Sequence, residues 1–301
     1  MYENVDKTKQ KSRILETWIL GILLVFVWVI YFILSAPSGN KDILIHVSSG
    51  ESFATLSKEL IDKNAIRNDF TLKVFFKLLE SNKGIISGDY LIKKNSPIWI
   101  VAWQVARGHH NIEPIKITIR EGLTNDQIAL LFSNKLTSFD KDLFLVSIPK
   151  KQGYLFPDTY FFYPLDTTNE IIERLSNNFY NRIKNLNSVI KSSGKSLNEI
   201  IIMASILEGE AAGKDDVAII SGILWKRISQ GMLLQVDIAR STYNTKGLPD
   251  APLNNPGLST INAAIKPVDS PYLYYLHDKN GKVHYAVTYD EHRRNINNYL
   301  K

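Results

Sequence analysis

The feature that most constrains this chain is an uncharged run of 19 residues near its N-terminus, TWILGILLVFVWVIYFILS, from Thr17 to Ser35. A helix needs about 20 apolar residues to cross the hydrocarbon core of a bilayer. The run is longer than the apolar core of a signal peptide, and no face of it is polar. We therefore predict one transmembrane helix over residues 17–35, with cleavage near Ala36 as the alternative.

Basic residues precede this run, namely Lys7, Lys9, Lys11 and Arg13. The positive-inside rule counts basic residues next to a span, so residues 1–16 are predicted to form a cytoplasmic tail. Residues 36–301 are then predicted to lie on the extracytoplasmic side of the cell (inner) membrane. The protein would cross this membrane once.

Composition excludes several classes of protein. The chain has no cysteine, so it has no disulfide framework, thiolate nucleophile or cysteine zinc site. A net charge of +6 suits an anionic partner, but no basic run with interleaved aromatic residues occurs, and nucleic acid is not predicted as a partner. With 45% hydrophobic residues over 301 positions, the chain can form more than one domain.

A small α/β module is predicted at residues 42–110. DILIHV and GDYLIKK are typical of strands, and Ser52 is placed to cap a helix through Leu56 and Leu60. A further helix, IWIVAWQVAR, is predicted to begin after Ser96 as N-cap and to end at Gly108.

A larger mixed α+β domain is predicted at residues 113–301. In EPIKITIREG apolar and polar residues alternate, which is typical of a half-buried strand. Capping-box pairs predict helix starts at Thr124 with Gln127, Ser196 with Glu199, and Thr288 with Glu291. YLYYLH and KVHYAV flank an Asn-Gly turn and predict a hairpin.

The stretch ASILEGEAAG, residues 204–213, ends an apolar helix in two carboxylates. Positions two apart on a helix differ by about 200°, so Glu208 and Glu210 cannot both face one bound ligand. Glu210 shares its face with Met203, Ile206 and Leu207, and it lies at the negative end of the helix dipole. Both conditions favour a retained proton and hence a general acid. The alternative is that both glutamates are ordinary solvated residues at a helix end.

Several segments together resemble the endolytic murein transglycosylases, the YceG-like or MltG family. They occur in the family's order: TIREGLTNDQIA, GYLFPDTYFF, ASILEGEA, RISQGMLLQVD, YNTKGLP, NNPGLSTINAAIKP and YLYYLHDKNGKVHYAVTYDEH. The module at residues 42–110 is similar to the family's LysM-like part. The resemblance thus implies a membrane-anchored α+β protein with a LysM-like module and a YceG-like catalytic domain.

The resemblance implies cleavage of peptidoglycan glycan strands within their length, between N-acetylmuramic acid and N-acetylglucosamine, leaving 1,6-anhydro ends. The family's catalytic glutamate maps to Glu210, which acts first as acid and then as base, and Glu208 becomes a supporting residue. No cofactor or metal is implied, and peptidoglycan synthases are candidate partners.

Candidate substrate-binding residues are Gln235, Asp237, Tyr243, Asn244 and Asn255. Each could instead be a turn or capping residue, and Asn255 in particular a rigid turn before the helix at Leu258. The histidines lack metal-ligand spacing, and His284 and His292 are interpreted as hydrogen-bonded structural residues.

One departure from the family pattern concerns the connection between Asp237 and Tyr243, which has five residues where relatives usually carry a few dozen. A piece of the expected cleft wall is missing. This leaves open a catalytically weak peptidoglycan-binding or scaffold protein. A hydrolase that activates water with a second carboxylate is also open, and Asp237 is its candidate.

Overall fold

The computed structural model describes residues 17–31, 34–35, 37, 41–79, 84–148, 152–210 and 216–300. These residues form a mixed α+β protein, as predicted. The chain divides into two compact units, Met1–Pro114 and Ile115–Lys301. The predicted tail, residues 1–16, lies outside the described residues. The LysM-like character of residues 42–110 and the other domain assignments stay predictions.

Residues 17–31 are helical, and their large apolar side chains are exposed. Within the described residues, no helix combines the length and hydropathy that a membrane span requires. Residues 32, 33 and 36 lie outside the described part of the chain. The transmembrane helix over residues 17–35 therefore stays a prediction.

Besides the helical residues 17–31, the described part of the first unit contains one antiparallel strand pair and three helices. Its elements are β1 (Ile43–Val47), α1 (Phe53–Asp62), α2 (Asp69–Leu78), β2 (Gly88–Ile92) and α3 (Ile98–Arg107). Ser52 caps α1 as predicted, since its side chain accepts from the Thr55 N–H. The start of α3 was predicted one residue too early, because Pro97, with its extended ψ of 151°, is the N-cap in place of Ser96.

The second unit contains two further antiparallel strand pairs, β3–β4 and β5–β6, and eight helices among its described residues. The elements are β3 (Ile115–Thr118), α4 (Asn125–Ser133), α5 (Lys141–Ser147), β4 (Thr159–Phe162), α6 (Thr168–Ile183), α7 (Asn187–Ser192), α8 (Leu197–Glu210), α9 (Val217–Ser229), α10 (Leu258–Ile265), β5 (Tyr274–His277), β6 (Val283–Ala286) and α11 (Tyr289–Tyr299). The three predicted capping boxes start α4, α8 and α11. The predicted hairpin is β5–β6, and Gly281 takes the positive φ of its turn.

Helix α8 forms the centre of the larger core of this unit. All eight residues from Ile200 to Leu207 are buried, and α9 and α10 pack against them in the same cluster. A helix that is apolar all round has to be buried on every side. Within this buried stretch the polar side chain is Ser205, whose hydroxyl donates to the Ile202 carbonyl and accepts from the Leu253 N–H. The charged residues of α8 lie toward its ends, and the C-terminal end holds Glu208 and Glu210.

Asn255 joins three segments of this unit through a side chain with no exposed surface. Its carbonyl oxygen accepts from the backbone N–H groups of Gly153 and Leu155 at 2.9 and 3.0 Å. Its amide nitrogen donates to the Leu123 carbonyl and to the Asn125 side-chain oxygen, each at 3.0 Å. Both polar atoms of Asn255 thus satisfy buried partners, which holds the loop before α10 in place.

Replacement of Asn255 by alanine should destabilise the protein strongly. Two buried N–H donors would lose their acceptor, and each such loss costs roughly 1–3 kcal/mol, so we expect a decrease of about 2–6 kcal/mol in the free energy of unfolding. Urea denaturation measures this decrease. Asn244 is exposed, so Asn244→Ala is the matched control and should change the free energy of unfolding by less than about 0.5 kcal/mol. Equal losses in the two variants would contradict the role given to Asn255.

Candidate active site

The two glutamates at the end of α8 contact different parts of the chain. Glu208 accepts from the Gly257 N–H at 2.9 Å and from the Thr260 hydroxyl at 2.8 Å. Gly257 is the N-cap of α10 and has no side chain to serve that end. Glu208 therefore supplies the acceptor and the negative charge that a helix N-terminus favours. This contact fixes α10 to the end of α8.

Gly209 allows a neighbouring segment to approach α8 between the two glutamates. A Cβ at this position would overlap the side-chain Cδ1 of Ile238. A side chain here would require Ile238 to move away from the helix. The segment that follows Gln235 thus packs directly on the helix, and a backbone hydrogen bond from Ile238 reaches Glu210.

Glu210 lies in a cavity of about 480 Å³. The cavity is lined from α8, α9, the segment around Asp237, the hairpin and α11, by Glu210, Arg227, Gln235, Asp237, Tyr243, Tyr274, Tyr275, Leu276, His277, Tyr289, His292, Ile296 and Leu300. The Tyr275 hydroxyl lies 3.4 Å from Oε2 of Glu210, toward which it donates. The carboxyl group of Glu210 therefore opens into a site that is large enough for a sugar.

Burial raises the pKa of Glu210 above its ordinary value, and the negative charge of Asp237 raises this pKa further. The hydrogen bonds from Ile238 and Tyr275 and the charge of His277 act in the opposite direction. The net shift is upward, so Glu210 holds its proton more firmly than a solvated glutamate does. The pKa of Tyr275 is also raised, first by burial and then by the charge of Glu210, which keeps its hydroxyl a donor.

The short connection between Asp237 and Tyr243 forms a closed loop. Residues 240–243 make one turn of 3-10 helix, and the Tyr243 hydroxyl donates to Asp237 Oδ1 at 2.7 Å. The buried Thr242 hydroxyl accepts from the Val236 N–H and donates to the Ala239 carbonyl. Few residues thus suffice to hold Asp237 at the cavity wall.

The predicted site residues divide into two groups. Gln235, Asp237 and Tyr243 line the cavity with Glu210. Asn244 is exposed and does not line it, and Asn255 is buried with both polar atoms bonded inside the chain. Asn255 therefore supports the scaffold and offers no free polar atom to a ligand.

Sequence reasoning missed several residues of the cavity. Tyr275 and His277 are two apart on β5, and strand alternation could have placed them on one face. His292 was expected to be a hydrogen-bonded structural residue, but its Nδ1 has no partner among the described residues. Arg227 lies next to Lys226 in an otherwise apolar helix, and neither periodicity nor spacing distinguished it as a cavity residue.

Comparison with known proteins bears on this arrangement. A model of the YceG-like family matches residues 45–241 and 239–298. The chain belongs to the YceG-like family. The match to the YceG-like pattern breaks at residues 239–241, inside the shortened connection.

Two curated relatives and one solved structure are similar to this YceG-like chain. An endolytic murein transglycosylase of Bacillus subtilis (strain 168) is 24% identical and is matched over 85% of this chain and 84% of that protein. An endolytic murein transglycosylase of Streptococcus pneumoniae serotype 2 is 26% identical, over 86% of this chain and 58% of that protein. The crystal structure of a yceG-like protein from Listeria monocytogenes has a TM-score of 0.55 at 24% identity and covers 85% of this chain and 99% of its own. This last likeness concerns the fold alone.

The raised pKa of Glu210 predicts a pH-dependent loss of stability. The folded state binds this proton more tightly than the unfolded state, so the free energy of unfolding should fall as pH rises from about 4.3, the ordinary glutamate pKa, through the raised folded pKa. Glu210→Gln removes the titrating group and should show a smaller fall. Urea denaturation at a series of pH values tests this.

Glu199 at the other end of α8 is the matched control. Hydrogen bonds from Ser196 lower the pKa of its carboxyl. Glu199 therefore contributes stability above its unfolded pKa that is lost as pH falls, and Glu199→Gln should change the pH dependence with the opposite sign. The same sign in the two variants would contradict the environment assigned to Glu210.

Proposed function

We propose that this protein is a membrane-anchored endolytic peptidoglycan lytic transglycosylase. It cleaves the bond between N-acetylmuramic acid and N-acetylglucosamine within glycan strands and leaves 1,6-anhydro ends. The observation that carries the proposal is the half-buried Glu210, whose raised pKa and position in a sugar-sized cavity suit a general acid. Membership of the YceG-like family and two relatives named endolytic murein transglycosylase support it.

In the proposed reaction one carboxyl group serves twice. Glu210 donates its proton to the glycosidic oxygen, the bond from this oxygen to C1 breaks, and charge develops on the sugar as in an oxocarbenium ion. The Glu210 carboxylate then accepts the proton of the muramoyl C6 hydroxyl, whose oxygen bonds to C1. This hydroxyl belongs to the same sugar, and its high effective concentration lets it react before water. The Tyr275 hydroxyl stabilises the carboxylate form between the two steps.

Asp237 is assigned an electrostatic role. Its charge helps to hold the proton on Glu210, and its Oδ1 is already bonded to the Tyr243 hydroxyl. A hydrolase would instead use Asp237 as the base that activates water, and its products would carry reducing ends.

We also propose that residues 17–35 anchor the protein in the cell membrane, with residues 1–16 in the cytoplasm and the catalytic unit outside. The uncharged run and the exposed apolar side chains of the helical residues 17–31 support this. Peptidoglycan synthases are also proposed as partners.

Glu210→Gln should abolish glycan cleavage. Loss of a general acid typically costs 10²–10⁴ in rate, so we expect a decrease of about that size. The unaltered protein and the Glu210→Gln variant are each incubated with glycan strands. Mass spectrometry should find 1,6-anhydro ends after incubation with the unaltered protein and not with the variant. Intact glycan with both proteins would overturn the proposal. Binding to insoluble peptidoglycan without any product would favour the scaffold protein that the shortened connection suggests.

Asp237→Asn should move the pH dependence of cleavage. The acid must be protonated, so the rate falls as pH rises past the pKa of Glu210. Removal of the Asp237 charge lowers that pKa, and the alkaline limb of the profile should therefore shift to lower pH. Rates measured against pH, with end groups determined in parallel, test this. Complete loss of activity in a protein whose normal products carry reducing ends would instead support the hydrolase.

A further inference from the structure

Arg227 is a buried cation in the wall of the cavity that holds Glu210. Its side chain comes from α9 and is 6% exposed. Nε donates to the Leu273 carbonyl at 2.7 Å, and Nη1 donates to the Leu234 carbonyl at 2.6 Å. A guanidinium has five N–H donors, so these two bonds leave three. Arg227 is therefore held in one orientation with donors to spare.

No carboxylate within the described residues forms an ion pair with Arg227. A buried charge is normally paired, because its transfer out of water is costly. Burial lowers the pKa of Arg227, and what compensates the charge is the ring of Tyr274, whose centroid lies 5.1 Å from Cζ. Neither acid of the cavity forms an ion pair with Arg227. Glu210 is contacted by the Tyr275 hydroxyl, and Asp237 accepts a hydrogen bond from Tyr243.

His292 adds an unpaired polar atom beside Arg227. Its ring stacks on Tyr274, with centroids 5.3 Å apart and an interplanar angle of 24°. Its Nδ1 is buried and has no hydrogen-bond partner among the residues that the structure describes. Burial and the charge of Arg227 lower the pKa of His292, which favours the neutral ring, and one nitrogen of a neutral imidazole donates. His277 also lines the cavity, and its buried Nε2 has no hydrogen-bond partner in the described part of the chain.

We propose that Arg227 and His292 bind a carboxylate of the glycan substrate. This inference rests on the proposed function, since it takes the cavity to be the substrate site. A carboxylate can accept hydrogen bonds from a guanidinium and a neutral imidazole at the same time. It also supplies the negative charge that would pair with the Arg227 cation. Sugar hydroxyls would leave that charge uncompensated. Two groups of peptidoglycan offer this chemistry: the lactyl carboxylate of a muramic acid that has lost its peptide, and the carboxylates of a stem peptide.

The test measures affinity and does not depend on cleavage. The full-length chain with Glu210→Gln is titrated with four soluble glycan strands, peptide-free and peptide-bearing, each with its carboxylates free or converted to amides. Hydrogen bonds to a charged group change affinity by roughly 10- to 100-fold. We expect amidation to weaken binding of at least one strand type by that factor. An effect on peptide-free strands assigns the lactyl group, and an effect confined to peptide-bearing strands assigns the stem peptide.

Three variants in the same background locate the effect. Arg227→Met removes the cation, and His292→Phe keeps the ring on Tyr274 while it removes the nitrogen atoms. Each should reduce the discrimination between free and amidated strands. Lys226→Met is the matched control: the neighbouring cation contacts Ser270 and Asp269 and lines a different cavity, so discrimination should be unchanged. If Arg227→Met fails to fold, the four-strand comparison still decides.

Equal affinity for free and amidated strands of both types would overturn the inference. That result leaves the proposed function intact if the unaltered protein still forms 1,6-anhydro ends. Tighter binding of free than of amidated strands, by a protein that cleaves none of them, would support the carboxylate site and reject the proposed function. The two proposals can therefore fail separately.

Discussion

The site depends on one helix, α8, whose residues 200–207 are all buried and whose end holds the half-buried carboxyl group of Glu210. Because residues 200–207 of α8 are all buried, the helix cannot rotate or slide without loss of core contacts. Its last turn is consequently presented to the cavity in one orientation. Gly209 completes the arrangement, since its missing side chain lets Ile238 cover the helix and reach Glu210.

The two glutamates show how adjacent carboxylates acquire different roles from their surroundings. Glu208 accepts hydrogen bonds from Gly257 and Thr260, and it acts as a structural cap of α10. Glu210 is half-buried near Tyr275 and a second acid, Asp237, and its pKa is raised by burial and by the charge of Asp237. Asn255 holds the loop that leads to α10 and so supports the same frame from behind. The roles of both acids thus depend on contacts made by residues far away in sequence.

Local signals predicted a large part of this fold. The capping boxes at Thr124, Ser196 and Thr288 rest on residues three apart and were confirmed, as was the β5–β6 hairpin. Helical spacing also separated the faces of Glu208 and Glu210. Arg227 and His292 could not be predicted in the same way, because they come from different helices and are brought together by packing on the hairpin residue Tyr274. Such a meeting depends on tertiary packing and leaves no periodic trace in the sequence.

The protonation of Glu210 in the folded protein is the most direct test of this account. The carboxyl carbon of Glu210 can be followed by NMR in protein labelled with ¹³C-glutamate, with Glu210→Gln identifying the resonance. The account predicts a pKa above that of an ordinary glutamate, because burial and Asp237 both favour the proton. A pKa at or below the ordinary value would mean that the carboxyl group is solvated, which would contradict its assignment as a general acid.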